Sequence, residues 1–322
     1  MTEPVSDAVF VNGLSKTFHQ RGQRGGAVQS VYAVRNVSLA VQRGACLGIV
    51  GESGSGKSTL ARMLVGLEVP TSGEVWIEGS RLPEPPRGVD RRAHARRVQM
   101  VFQNPYSSLD PRQSVESVLN EVQRVHFDRD KAQRHTRTMQ LLEAVGLGQR
   151  YAEQLPRALS GGQRQRLAIA RCLAAEPAVL VLDEAVSALD VSTQAQILNL
   201  LSDLRAEFCL TYIFISHDLA VIRQVSDEVL ILYRGRLMEQ APVEPLFESA
   251  RHPYTQLLLD SIPRQGMELS SRPERGIPTE VGCLFVGRCP FAHERCEQEP
   301  PLFQLSTRSH ARCWLVEEAV NQ

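Results

Sequence analysis

The sequence predicts an α/β fold in which a parallel sheet carries helical crossovers. Three observations predict it. Apolar runs of strand length, Val179–Leu182, Tyr212–Ile215 and Val229–Leu232, recur along the chain, with the amphipathic segment Thr193–Phe208 between the first two. The glycine-rich stretch GESGSGKST, Gly51–Thr59, stands between the apolar run Cys46–Val50 and a segment repeating Leu60, Leu64 and Leu67 at helical spacing, which is the setting of a strand-to-helix turn. The run AVLVLDE, Ala178–Glu184, is a buried strand that ends in two carboxylates. Strands alternating with helices form a parallel sheet, because each crossover must return the chain to the edge from which it started.

The first part of the chain is rich in strand signals: Ala8–Val11, the alternation of Val37, Leu39 and Val41, then Glu74–Ile77 and Val98–Phe102. From Asn104 to about Glu176 the pattern turns helical, through Val115, Val118, Leu119 and Val122 and again through Met139, Leu142 and Val145, so a helical insertion splits the sheet. After Ile262 the composition shifts to Pro, Arg, Cys and Gly with little periodicity, which marks a boundary.

The 322 residues suffice for one large domain and a smaller appendage. Lys+Arg and Asp+Glu are both 36, so the balanced charge excludes a global electrostatic case for nucleic-acid binding. The basic run Arg87–Arg97 reads as a solvated helix face beside a Pro-rich turn at Pro83–Pro86. No apolar segment approaches bilayer length, and the N-terminus MTEPVSDAV lacks the basic and apolar regions of a leader, so a cytosolic protein is expected. Of seven cysteines, Cys46, Cys172 and Cys209 lie in apolar stretches, whereas Cys283, Cys289, Cys296 and Cys313 crowd the tail, where a reducing compartment favours a metal over disulfides.

The spacing of Gly51, Gly54 and Gly56 lets backbone N–H groups converge on phosphate oxygens at a helix N-terminus, while Lys57 reaches the β/γ-phosphates and the Ser58 hydroxyl can ligate Mg²⁺. Asp183 and Glu184, at a strand end on the same sheet edge, divide the work: Asp183 can hold Mg²⁺ and Glu184 can orient the attacking water. A further cradle, LSGGQ at Leu159–Gln163, sets Ser160, Gly161 and Gly162 at a helix start. One nucleotide does not need two such cradles on one chain.

With these motifs in this order, the chain resembles the ATP-binding subunits of ABC transporters. The resemblance implies a P-loop NTPase core with an antiparallel β subdomain, an inserted α-helical subdomain and a small Cys-rich C-terminal extension. It places the ATP-binding domain at 1–262, the helical insertion at about 104–176 and the extension at 263–322. It implies ATP and Mg²⁺ as cofactors, with Gly51, Glu52, Ser53, Gly54, Ser55, Gly56, Lys57, Ser58 and Thr59 on the nucleotide and Ser58, Gln103 and Asp183 toward the metal. Gln103 matches the Q-loop glutamine, Glu184 the hydrolytic carboxylate and His217 the switch histidine. Ser160, Gly161, Gly162 and Gln163 close over the partner's nucleotide, and Asp190, in the stretch SALD, matches the D-loop that crosses the dimer interface. Phe18 fits the adenine-stacking aromatic, with Tyr32 as rival. The stretch DEAVSALD departs from the commoner DEPTSALD at Ala185 and Val186 but keeps the acidic residues, so hydrolysis is expected.

Within the family, NPYSSLDPR, DVSTQAQILNLL, RHPYTQLLLDSIP and the tail GCLFVGRCPFAHERCEQEPPLF resemble the oligopeptide, dipeptide and nickel importers. That group implies a second, different ATPase subunit, two membrane permeases and an extracytoplasmic binding protein, with this chain on the cytoplasmic face of the inner membrane. Peptide, nickel-complex and glutathione importers share such ATPases. The tail cysteines, separated by five, six and sixteen residues, differ from paired zinc ribbons. The resemblance offers a [4Fe–4S] cluster on Cys283, Cys289, Cys296 and Cys313; zinc with His293 or His310 replacing a cysteine, or a metal-free tail, are the alternatives. A metal there is expected to be structural, since a short segment rich in Pro and charge has little core of its own.

Overall fold

The computed structural model describes residues 7–21, 28–82, 88–104, 109–261 and 282–317; the expected Pro83–Pro86 turn and the expected boundary at 262/263 lie outside them. Two long strands, β1 (Asp7–Arg21) and β2 (Val28–Gln42), pair antiparallel, and Val37, Leu39 and Val41 point inward while Ser38, Ala40 and Gln42 face out. A short strand β3 (Cys46–Val50) follows, buried on both faces, and leads through the glycine loop into helix α1 (Lys57–Leu64). Strands β4 (Ser72–Ile77) and β5 (Ser80–Arg81) complete a four-stranded antiparallel sheet in the order β2-β1-β4-β5.

The helix after the glycine loop is shorter than its leucine spacing suggests. Leu60 and Leu64 are buried, but the chain turns at Gly66, φ 73°, and Leu67 lies beyond the helix, 50% exposed.

The basic run forms helix α2 (Gly88–Arg97), which passes directly into β6 (Val98–Val101). Three helices then occupy the predicted helical stretch: α3 (Val115–His126), α4 (Lys131–Ala144) and α5 (Gly161–Leu173). Their starts are written locally. Ser114 caps α3, and Asp130 with Gln133 and Ser160 with Gln163 form reciprocal capping boxes on α4 and α5. Val115, Val118, Leu119, Leu141, Leu142 and Leu167 are their buried faces.

The chain returns to the large sheet with β7 (Val179–Asp183), crosses through α6 (Val191–Phe208) to β8 (Thr211–Ile215), and through α7 (Leu219–Val225) to β9 (Glu228–Tyr233). Strand β10 (Arg236–Pro242) folds back antiparallel and is followed by α8 (Val243–Ser249) and α9 (Pro253–Asp260). Two short strands of the tail, β11 (Phe303–Ser306) and β12 (Ser309–Ala311), extend the same sheet, giving the order β11-β12-β10-β9-β3-β8-β7-β6. The five strands from β9 to β6 are parallel.

Both faces of this parallel stretch are covered, which explains its unbroken apolar runs. Leu47, Ile49, Val181 and Ile213 pack toward the antiparallel sheet and α1, whereas Cys46, Val50, Leu180 and Phe214 pack in the core that contains α3–α6. That second core also holds the tail residues Cys283, Leu284, Phe285 and Cys296, so the tail packs into the main body rather than around a core of its own. Phe285 is 1% exposed; its ring lies 5.6 Å from Tyr233, 5.3 Å from Tyr254 and 5.8 Å from His252. Strand β12 pairs with β10, Glu239 opposite Ala311. The tail therefore shares the core of the main body. Phe285→Ala is expected to lower the unfolding free energy by about 3–5 kcal/mol, the usual cost of emptying a buried aromatic site; chemical denaturation of the whole chain measures it.

Candidate nucleotide site

The parallel register brings three strand ends together. Asp183 at the end of β7 lies beside Ile215 of β8, and Ile49 of β3 also lies beside Ile215. The loops that leave these ends carry Gly51–Thr59, Glu184 and His217, and the loop after β6 carries Gln103. Open parallel sheets place ligands at such carboxyl ends.

Close packing demands glycine at two points of the phosphate loop. A Cβ on Gly51 would sit 2.1 Å from the carbonyl oxygen of Leu232, and one on Gly56, φ 103°, would sit 2.1 Å from that of Ala33. The loop is thus wedged between β9 and β2. Lys57 is 6% exposed, and its Nζ donates to the Gly51 carbonyl at 2.7 Å, the Glu52 carbonyl at 2.9 Å and Ser55 Oγ at 3.4 Å. Burial lowers its pKa, while the carboxylates of Glu184, Asp183 and Glu52 pull it back up. The ammonium is therefore stored at the mouth of a loop of N–H donors. Ser53 and Gly54 are exposed at the tip of the loop, and Thr59 continues α1.

Ser58 Oγ donates to Asp183 Oδ1 at 3.2 Å, so hydroxyl and carboxylate face the same point. Burial raises the Asp183 pKa; the Ser58 hydrogen bond opposes this and the neighbouring Glu184 reinforces it. An all-oxygen pair at a phosphate loop fits Mg²⁺, a hard cation that keeps most of its waters. Glu184 is held at φ 49°, a backbone region non-glycine residues seldom adopt and one that costs of the order of 1–3 kcal/mol. Its N–H donates to Ile215 O at 3.0 Å, and its own carbonyl accepts from Ser187 N at 3.2 Å and Oγ at 3.0 Å. The carboxylate stands between two predicted partners: Gln103 Nε2 donates to Oε2 at 2.8 Å, and His217 Nδ1 lies 3.5 Å from Oε1.

The second cradle is elsewhere. The hydrogen bonds of Ser160, Gln163 and Asp190 stay within their own helix starts or reach Tyr151, not Gly51–Thr59: Ser160 and Gln163 bond each other, Gln163 Nε2 donates to Tyr151 Oη at 2.9 Å, and Asp190 accepts from Thr193 N at 2.9 Å and Ser192 Oγ at 2.6 Å. These bonds hold the Asp190 carboxyl well below the usual carboxylate range. A Cβ on Gly162 would meet Thr193 Cγ2 at 2.5 Å, so the starts of α5 and α6 abut, with Ser160, Gly161 and Asp190 exposed. Phe18 and Tyr32 occupy opposite faces of the β1–β2 ribbon, opposite Val31 and Thr17 respectively; Lys16 covers the Phe18 ring at 4.9 Å and Arg35 the Tyr32 ring at 4.6 Å.

In the tail, Cys283, Cys296 and Cys313 are buried and Cys289 half-buried. Cys283 N–H donates to the Cys296 carbonyl at 2.9 Å, and the thiols are near enough to influence one another's ionisation. Burial pushes the Cys283 and Cys313 thiols up to about 11 and raises Cys289. The donor type and burial suit a metal held by thiolates, yet among the described residues no three His, Cys, Asp or Glu side chains converge as a ligand set. His293 is exposed, and His310 lies on β12 opposite Gln240.

Two site contacts were outside the reach of sequence reasoning. Tyr254 Oη accepts from Glu52 N–H at 3.0 Å, and the Arg288 guanidinium forks onto the Glu52 carboxylate at 2.8 and 2.9 Å. Residues 236 apart carry no local signal of such a pairing.

Comparison with known proteins decides what this geometry belongs to. Residues 34–187 match the ABC transporter family model, and residues 238–296 match the oligopeptide/dipeptide transporter C-terminal region. The di/tripeptide transport ATP-binding protein DppF of Pseudomonas aeruginosa is 43% identical over 297 residues, 89% of this chain and 91% of that one. The chain belongs to the ABC transporter family of ATP-binding proteins.

The oligopeptide transport ATP-binding protein AppF of Bacillus subtilis is 41% identical, covering 88% of this ABC ATPase and 89% of the relative. Among solved structures, cbiO1 from Clostridium perfringens, part of the ABC transporter complex cbiONQ, superposes with a TM-score of 0.65 at 25% identity, over 76% of this chain and 92% of that one. The ATP-binding cassette MJ0796, in a dimeric post-hydrolysis state bound to ADP and Pi, gives 0.62 at 30% identity over 73% and 98%. The ABC ATPase hydrolyses ATP, and at this sheet edge the structure gathers Gln103, Glu184 and His217. Glu184→Gln is expected to leave ATP binding intact and to lower turnover by about two orders of magnitude or more. Nucleotide titration beside phosphate release measures both; wild-type turnover in the variant would remove Glu184 from the role.

Proposed function

We propose that this ABC ATPase is the ATP-hydrolysing subunit of an importer that carries dipeptides or oligopeptides across the inner membrane. One observation carries the cargo class: residues 238–296, which include most of β10, α8, α9 and three tail cysteines, match the region named for oligopeptide and dipeptide transporters. Relatives named for peptide transport match along the same length. Nickel or glutathione import is the second reading within the same group.

The separation of the two cradles supports a head-to-tail dimer as the working unit. The N–H donors of Gly51–Gly56, with Lys57, hold the phosphates of one ATP, Phe18 stacks on the adenine, and Ser58, Asp183 and Gln103 are the groups that would hold Mg²⁺. Mg²⁺ when bound neutralises charge on the phosphoryl group being transferred. Ser160, Gly161, Gly162 and Gln163 of the other subunit supply the missing wall, and Asp190 lies at that junction. Because the exposed start of α5 has no role within its own subunit's phosphate loop, ATP contacts that exist only in the closed pair favour closure. Glu184 then orients water, with Gln103 and His217 fixing its two oxygens. Gln103 also begins the helical insertion, about 104–176, so its movement is passed to α3 and α4 and from there to the permeases.

The partners of this reading are a second ATPase subunit, different in sequence, two membrane permeases and an extracytoplasmic binding protein; nucleic acid has no part in it. No helix among the described residues is long and apolar enough to cross a membrane; in this reading the chain works at the cytoplasmic face of the inner membrane, held there by its permeases. The ATP-binding domain is read as 1–262 and the extension as 263–322.

Reconstituted with its permeases, the complex is expected to raise its ATPase rate when the binding protein is loaded with a dipeptide or oligopeptide. Stimulation by a nickel complex or glutathione alone transfers the cargo to the second reading, and no response to any loaded binding protein overturns import.

For the tail, the reading is a structural [4Fe–4S] cluster on Cys283, Cys289, Cys296 and Cys313, with zinc as rival. It rests on the resemblance to the peptide-importer group and on the four cysteines of the tail, three of them buried. Protein purified without oxygen is expected to be brown and to contain iron and acid-labile sulfide; colourless protein with stoichiometric zinc selects the rival, and neither metal leaves a packed thiol tail.

A further inference from the structure

A carboxylate at the second position of a phosphate loop is electrostatically out of place. Glu52 stands where a triphosphate must approach, and its charge opposes the anion that the loop's N–H groups and Lys57 attract. The fold answers with one residue of the tail. Arg288 forks both terminal nitrogens onto the Glu52 carboxylate, Nη1 to Oε2 at 2.8 Å and Nη2 to Oε1 at 2.9 Å. A bidentate pair fixes the direction of the carboxylate as well as its charge.

The arginine is itself held. Its N–H donates to the Phe285 carbonyl at 3.0 Å, its guanidinium lies 5.7 Å from the centre of the buried Phe285 ring, and that ring packs against Tyr233 and Tyr254. Tyr254 in turn accepts the Glu52 N–H, and Leu232, next to Tyr233, is the residue whose carbonyl leaves no room for a side chain at Gly51. The first two residues of the loop are therefore braced from β9, α9 and the tail together, whereas its far end rests on Ala33 of β2.

We propose that the C-terminal tail is a positioning element of its own subunit's nucleotide site, with Arg288 neutralising and aiming Glu52 so that the phosphate loop stays open to ATP. The proposal rests on the reading of Gly51–Thr59 as the ATP site. It gives the tail a task in every catalytic cycle, independent of whether its cysteines bind a metal.

The test uses the full-length chain with MgATP, measuring the dissociation constant, the ATPase KM and kcat, and the unfolding midpoint without nucleotide. Arg288→Ala is expected to raise Kd and KM about two- to fivefold, the scale of a partly exposed ion pair, with a smaller change in kcat. Adding Glu52→Gln to that variant removes the stranded charge and is expected to restore most of the affinity, which a purely structural arginine would not do. Arg288→Lys keeps the charge without the fork and is expected to fall between, and it serves alone if the alanine variant does not fold. Unchanged Kd and KM in Arg288→Ala, or a loss that Glu52→Gln does not recover, overturns the proposal while wild-type binding stands. A wild-type chain that does not bind ATP overturns the nucleotide reading first.

Discussion

The constraint on which the structure depends is the parallel register among β3, β8 and β7. It sets Ile215 beside both Ile49 and Asp183, so the loop that can hold a polyanion and the carboxylates that can hold its metal and its water emerge at one edge. That register requires strands buried on both faces, and buried parallel strands require helical crossovers on each side. The two cores follow from this, one under the antiparallel sheet and one under α3–α6. A one-residue slip of β7 would turn Asp183 away from Ser58 and exchange Leu180 and Leu182 for Val179 and Val181 across the sheet.

At that edge, strain and charge are concentrated together. Glu184 is kept at positive φ by three backbone and hydroxyl hydrogen bonds, and Asp183 by a hydroxyl that partly offsets its burial. Burial lowers the Lys57 pKa, and the carboxylates of Glu184, Asp183 and Glu52 oppose that shift. Each group is costly in isolation and compensated by the next, which is the usual price of preorganisation. The same logic extends to Glu52, whose charge only makes sense beside Arg288.

What was legible in the sequence follows physical range. The buried strands β3, β7, β8 and β9 were read within a residue of their ends because nothing but apolar side chains can occupy them. Strand β1 was read only at Ala8–Val11 although it runs to Arg21, since its second half has little buried face to write an alternation. Glu184 was legible at its strand end, while Gln103 and His217 came only with the family resemblance, and the structure brings the three within hydrogen-bonding reach or close to it. Leu67 misled because helical spacing continues past a turn that Gly66 enforces. Strands β11 and β12 and the core role of Phe285 were illegible, because a tail that borrows its neighbours' core has no periodicity of its own.

That borrowing changes what the tail is. A segment with a separate core could be lost at little cost to the nucleotide site, but this one shares Tyr233 and Tyr254 with the wall of the phosphate loop. Any event that loosens Phe285, such as a cavity beside its ring, acts on the same ring cluster that seats the Glu52 backbone. The distance from tail to catalysis is then two contacts, Phe285 to Tyr254 and Tyr254 to Glu52, and each is a direct packing or hydrogen-bond contact. Coupling of this kind needs no large rearrangement. It needs only the close packing already present at the loop's first turn, where a Cβ on Gly51 would sit 2.1 Å from the Leu232 carbonyl oxygen.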